Sequence, residues 1–121
     1  MNNDALVGDL NANYRHSAKA RGLSWDIERH EFACLIKSPC FYCGANPSSK
    51  KTKWSPRQHS QISLAWNGID RIDNQKGYDR DNCVSCCKRC NRMKMDQSLE
   101  EFFERVSRIY NIHIQPNRGE L

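Results

Sequence analysis

At 121 residues the chain holds sequence for one domain, and a hydrophobic share of 38% is low for a fold resting on core burial alone. No run approaches the ~20 apolar residues that span a bilayer. The opening MNNDALVGDL has neither a basic n-region nor an apolar h-region, so secretion and membrane insertion are not expected.

The net charge of +5 is local. No Asp or Glu lies between Glu31 and Asp70, a stretch that holds Lys37, Lys50, Lys51, Lys53 and Arg57; elsewhere basic and acidic residues balance. A patch of this kind suits a polyanion, and it equally suits a solvated loop.

In chain order, Leu6, Leu10, Tyr14 and Ala18 recur every fourth residue and predict an amphipathic helix over 4–20, with Gly22 as a left-handed cap. Residues 23–27 alternate weakly, as a short extended piece does. Phe32, Leu35 and Ile36 predict a second helix over 28–36, stopped by Pro39. Cys34 falls on its apolar face and reads as a core residue. Residues 46–61, rich in Ser, Lys, Pro and Gln, read as a long exposed loop in which Trp54 either stacks on a ligand or packs back. Residues 62–73 read as extended structure broken at Asn67-Gly68, a hairpin-type dipeptide. Lys76-Gly77-Tyr78 is a turn, and residues 87–95 have helical spacing. Ser98 and Glu101 form a capping box for a last helix whose Leu99, Phe102, Phe103, Val106 and Ile109 are its expected buried face. Residues from Pro116 onward read as a frayed tail.

The seven cysteines carry a sharper signal. Cys40-Phe41-Tyr42-Cys43 and Cys87-Lys88-Arg89-Cys90 are two CxxC pairs. In a reducing cytoplasm, such pairs hold Zn²⁺ more readily than they form disulfides. Four thiolates from two tight turns make a tetrahedral site whose binding energy supplements a small core. Cys83 and Cys86 form a competing CxxC. Cys87 and Cys90 are preferred because both can sit at a helix start on one face, leaving Cys83 and Cys86 to point into the core.

The second half reads Gly68-Ile69-Asp70-Arg71-Ile72-Asp73, then Asp81-Asn82, then Cys87 to Cys90 followed by Asn91-Arg92-Met93-Lys94. Over 40–94 this ordered set resembles the HNH (ββα-metal) endonucleases, in their small phage-type form with two CxxC knuckles. The flanks from Tyr14 and from Ser98 are similar too. The resemblance implies an α+β fold: a ββα-metal core with a four-cysteine zinc site, flanked by N-terminal helices and a C-terminal helix. The expected single domain divides into an N-terminal helical region (1–37), a zinc-stapled core (38–96), a C-terminal helix (97–112) and a tail (113–121). It implies a divalent-metal-dependent DNA endonuclease or nickase of phage homing type, working in the cytoplasm of a bacterial or phage-infected host cell. The partner is double-stranded DNA, with hairpin and helix against its minor groove, and the protein is a monomer or homodimer.

Phosphodiester hydrolysis requires a cation at the phosphate oxygens. Asp70 and Asn91 offer hard oxygen ligands of the kind Mg²⁺ or Mn²⁺ accepts. Asn82 resembles the family's middle Asn, which tethers the hairpin and orients the base. Where the family has a His as general base, this chain has Arg71, which cannot accept a proton from water but can clamp a phosphate. Asp73 and His59 stand level as replacement bases, beside Tyr78 and a metal-bound hydroxide. Asp73 is expected to share Arg71's alternation if the strand continues. Lys50, Lys51, Lys53, Arg57, Lys88, Arg89, Arg92 and Lys94 are the candidate DNA contacts. A non-catalytic zinc module that grips nucleic acid is the alternative, favoured by Arg71, and a zinc-stapled protein-interaction domain is a third reading.

Overall fold

The computed structural model describes residues 3–115, so the tail expected from Pro116 lies outside the described residues. Helix α1 (Asp4–Ala20) buries Leu6, Val7, Leu10 and Ala18. It ends as its sequence predicts. Gly22 takes φ +72, Leu23 N–H donates to Ala18 O at 2.8 Å and Gly22 N–H to Lys19 O at 3.0 Å, which together form a Schellman close. After the two-residue strand β1 (Trp25–Asp26), α2 (Arg29–Lys37) opens with the Glu31 carboxylate accepting from Glu28 N–H. Phe32 and Ile36 of α2 are buried against α1, with the Tyr14 ring edge-on to Phe32 at 5.6 Å. Cys34, expected in the core, is exposed. The nine-residue helix buries only a narrow stripe, and Cys34 lies off it.

The expected loop over 46–61 is largely sheet. Strand β2 (Ser49–Ser55) pairs antiparallel with β3 (Ser60–Trp66), Ser49 opposite Trp66 and Ser55 opposite Ser60, around a turn at 56–59. Only β3 carries apolar alternation, Ile62 and Leu64 facing the core. Lysines on β2 hide the period from a hydropathy reading. Asn67-Gly68 is not a hairpin turn. Asn67 is buried at a chain junction: its N–H donates to Ile36 O, and its amide nitrogen to Ser38 O and Ala45 O.

Strand β4 (Gly68–Arg71) then pairs antiparallel with β6 (Cys83–Cys86), Asp70 opposite Val84. Between them lie β5 (Tyr78–Asp79), which pairs parallel with β1, and a 3₁₀ turn (Arg80–Asn82). Tyr78 is buried in the main core beside Trp25, which removes it as a free base. Helix α3 (Lys88–Lys94) follows β6 directly. Helix α4 (Leu99–Ile109) has the predicted capping box, Ser98 Oγ accepting from Glu101 N–H at 3.1 Å and the Glu101 carboxylate from Ser98 N–H at 3.0 Å. It runs into a π-helical turn (Tyr110–Ile114), so 113 and 114 are helical rather than tail. Of its expected buried face only Phe102 is buried. Leu99 is half-buried, and Phe103, Val106 and Ile109 are exposed. Among the described residues the fold is thus mixed, four α-helices with three two-stranded sheets, and no helix is long and apolar enough to cross a membrane.

Candidate functional site

Two turns converge at the end of the β4–β6 pair. The first, after α2, is locked by Cys40 N–H to Ala45 O, by Gly44 N–H to Cys40 O with Gly44 at φ +79, and by Phe41 N–H to Ser85 O on β6. The second is the start of α3, where Cys87 is the N-cap and its Sγ accepts from Cys90 N–H at 3.4 Å. The Sγ atoms of Cys40, Cys43, Cys87 and Cys90 therefore gather within 4.8 Å of one another, Cys43 and Cys87 at 3.7 Å. With Zn–S bonds of about 2.3 Å a tetrahedron has edges of about 3.8 Å, so the donor set fits zinc. Burial raises the Cys40 thiol but is outweighed by the N–H groups of Cys87, Cys43 and Tyr42, which bring it down to about 6. Burial and the neighbouring thiols hold Cys90 high. Cys83 lies in the main core, its thiol pushed up to about 12 by burial and then Asp79; Cys86 is buried beside the cluster and raised likewise by burial.

This cluster pins α3 across β4. Asp70 is buried, and its Oδ2 receives the Tyr42 hydroxyl at 2.6 Å and the Lys94 ammonium at 3.1 Å. Lys94, expected on DNA, has an exposure of 0% and also reaches Arg71 O at 3.4 Å, so it is an internal cation. Its direction was legible in the spacing. It follows Cys87 and Cys90 by seven and four residues, on the face that carries both thiols inward. Tyr42, which sequence reasoning passed over, reaches Asp70 from the first knuckle. Burial and then the bond to Asp70 push its phenol well above the usual range.

The remaining candidates are placed as follows. Asn91 is exposed and lines a groove with Tyr14, Trp66, Gly68, Ile69 and Lys88; Asp70 meets α3 instead at Lys94, one turn further along. Arg71 donates both protons of Nη1, to Asn74 O at 2.7 Å and Lys76 O at 2.8 Å, and lies over the Tyr78 ring at 5.4 Å. A phosphate contact by Arg71 therefore falls to Nε and Nη2. Asn82 is buried and laces the same turn: Oδ1 accepts from Asp73 N–H, and Nδ2 donates to Asp73 O and Gly77 O, all between 2.8 and 3.0 Å. Strand β4 ends at Arg71, so Asp73 does not continue its alternation. Its carboxylate accepts from Gln75 N–H within the turn. His59 sits at the far turn of the β2–β3 ribbon with φ +49. Strand β3 lies between it and β4, a span of about 20 Å for seven extended residues, so His59 is not brought to Asp70. Lys50, Arg57, Lys88, Arg89 and Arg92 are exposed; Lys51 is half-buried on the core side, and Lys53 is held by Asp9 at 2.9 Å.

Among solved structures the fold is similar to that of the rare-cutting HNH restriction endonuclease PacI, with a TM-score of 0.57 and 23% identity, over 79% of this chain and 70% of that one. The class that this defines is one of fold, an HNH-like arrangement around a four-cysteine cluster. In sequence, the chain is 33% identical over 101 residues to the uncharacterized protein R423 of Acanthamoeba polyphaga mimivirus. That match takes in 84% of this chain and spans 16% of R423. No protein-family model matches the chain.

Proposed function

We propose that the chain is one zinc-stapled HNH domain that hydrolyses phosphodiester bonds in double-stranded DNA, with β4, β6 and α3 as its ββα unit. Cys40, Cys43, Cys87 and Cys90 would hold Zn²⁺, whose part is to join the two knuckles and fix the start of α3 against β4. The observation that carries the reading is this pinning. A four-thiol cluster aims one helix at a strand bearing Asp70-Arg71, in a fold like that of an HNH endonuclease. Lys88, Arg89 and Arg92 lie exposed around the second knuckle as phosphate contacts. Arg71, braced by Asn74 O and Lys76 O, is the cation offered to the scissile phosphate, where negative charge grows as water's oxygen bonds to phosphorus and the leaving oxygen departs, the water's proton passing to solvent and the leaving oxygen taking one from it. Asn82 positions Arg71 by holding the turn against which it is braced. A phage or viral homing role is the finer form of this proposal.

The Lys94 ammonium beside Asp70 offsets part of the negative charge that a catalytic Mg²⁺ or Mn²⁺, held there with Asn91, would find. No step of the proposal runs through such an ion. The same Lys94–Asp70 pair favours the second reading, a zinc module that binds DNA without cutting it. Incubating zinc-loaded protein with supercoiled plasmid, with no added metal, Mg²⁺ or Mn²⁺, separates the two. Conversion to nicked circle supports the enzyme, and a gel shift of plasmid that stays supercoiled supports the binding module.

A further inference from the structure

The β2–β3 ribbon has two faces of different chemistry. Cross-strand partners share a face, so Lys51 with Leu64 and Lys53 with Ile62 lie on the core side, where Lys53 is tied to Asp9 of α1. The other face carries Lys50 with Ala65, Thr52 with Ser63, and Trp54 with Gln61. All six are exposed, Trp54 at 54%. No acidic residue occurs on either strand or in the turn, which adds Arg57 and His59. An exposed strand pair built from one lysine, one indole and small hydrogen-bonding side chains has no core to serve.

We infer that the outer face of this ribbon enters the major groove of duplex DNA and reads A·T base pairs beside the cleavage site, an inference that rests on the DNA-endonuclease reading above. The dimensions match. Two strands about 5 Å apart fit a groove about 12 Å wide that is known to admit a two-stranded ribbon. The deep, narrow major groove of A-form RNA excludes it. The side chains match as well. Gln61 has the paired donor and acceptor that adenine N7 and N6 require, and Thr52 and Ala65 present methyl groups suited to thymine C5-methyl. Lys50 and Arg57, at opposite ends of β2 and the turn, supply phosphate contacts that position without specifying. Asn67 alone separates β3 from β4, so the reading face is covalently continuous with the strand of Asp70 and Arg71. Seven residues of strand span about 20 Å, so the pairs read lie within about six base pairs of the scissile phosphate.

The test is selection from a randomised 30-base-pair duplex library by the zinc-loaded full chain. The bound fraction is sequenced, and affinities are measured against salt. The wild type is expected to enrich A·T pairs over a short window. Q61A/T52A should lower the ratio of affinities for selected over scrambled duplex by about 10-fold, within the range for loss of a bidentate contact. K50A/R57A should weaken binding to all sequences alike and flatten the salt slope by about 2; R105A/R108A, which removes two charges from α4, should leave slope and ratio unchanged. The ribbon's role is overturned if the wild type binds duplex DNA but Q61A/T52A keeps its preference. Enrichment of G·C pairs, tighter binding of duplex RNA, or equal effects of the two charge-removing variants would overturn it as well. Folded wild type that neither binds nor nicks any duplex would take down the nuclease reading itself.

Discussion

The Lys94 ammonium lies 3.1 Å from Asp70 Oδ2 with both side chains almost wholly withdrawn from solvent. Each charge is tolerated there because of the other. Lys94→Met should therefore cost about 3–5 kcal/mol by leaving a buried carboxylate uncompensated, whereas the double variant Asp70→Asn with Lys94→Met should recover most of that loss. Urea unfolding of the two singles and the double closes the cycle. Additive losses would mean that the pair is not coupled. Asp70→Ala alone is a poor catalytic test for the same reason, since it strands Lys94.

Zinc content follows from the four-thiol cluster. Purified protein should carry one zinc per chain by native mass spectrometry, and its removal by a strong chelator should abolish cooperative melting. Cys40→Ser and Cys90→Ser should lose the metal, while Cys34→Ser, at an exposed position on α2, should keep metal and melting temperature. Equal zinc in the Cys90→Ser and wild-type proteins would refute the assignment.

Asn82 makes three hydrogen bonds to the turn that braces Arg71. Asn82→Ala leaves the Asp73 N–H and two carbonyls to find other partners, at about 1–3 kcal/mol. Hydrogen exchange should quicken at residues 72–78 before it changes on α1. Unchanged protection there would show that the turn holds without the amide.

The apolar stripe of α4 divides sharply in energy. Phe102 is buried with its ring 5.6 Å from Tyr42, so Phe102→Ala should cost about 3 kcal/mol. Phe103 is 46% exposed but its ring meets those of Tyr42 and Phe102, so Phe103→Ser should cost about 1 kcal/mol, and Val106→Ser about 0.5 kcal/mol or less. Thermal melts of the three variants decide the point. A loss at Val106 matching that at Phe102 would mean that the stripe is covered in solution.

The helices were legible because their signals are local. The Schellman close at Gly22, the Ser98–Glu101 capping box and the apolar period of α1 need no tertiary knowledge. The cysteine grouping was legible because two CxxC turns leave few ways to gather four thiols. The β2–β3 ribbon was not, since β2 puts lysines where an alternating strand puts core residues, and pairing register is a non-local property. Asn67-Gly68 carried a hairpin signature, but the junction that buries Asn67 took precedence. Reading the apolar stripe of α4 as buried assumed a covering layer, which the described residues supply only at Phe102. At the candidate centre, Arg71 and Asn82 were named from sequence. The partners of Asp70 were not, because Tyr42 comes from a knuckle 28 residues away and Lys94 from the inward face of α3.

The central claim is that this fold cuts DNA, and supercoiled plasmid measures it most directly. Zinc-loaded wild type, tried with no added metal, Mg²⁺ and Mn²⁺, should convert plasmid to nicked circle under at least one condition. Arg71→Ala, folded and still shifting DNA on a gel, should lose about 100-fold or more of that rate, as the removal of a charge-stabilising donor does. Plasmid that is bound by folded wild type yet stays supercoiled under every condition would contradict the account and leave a DNA-binding zinc module.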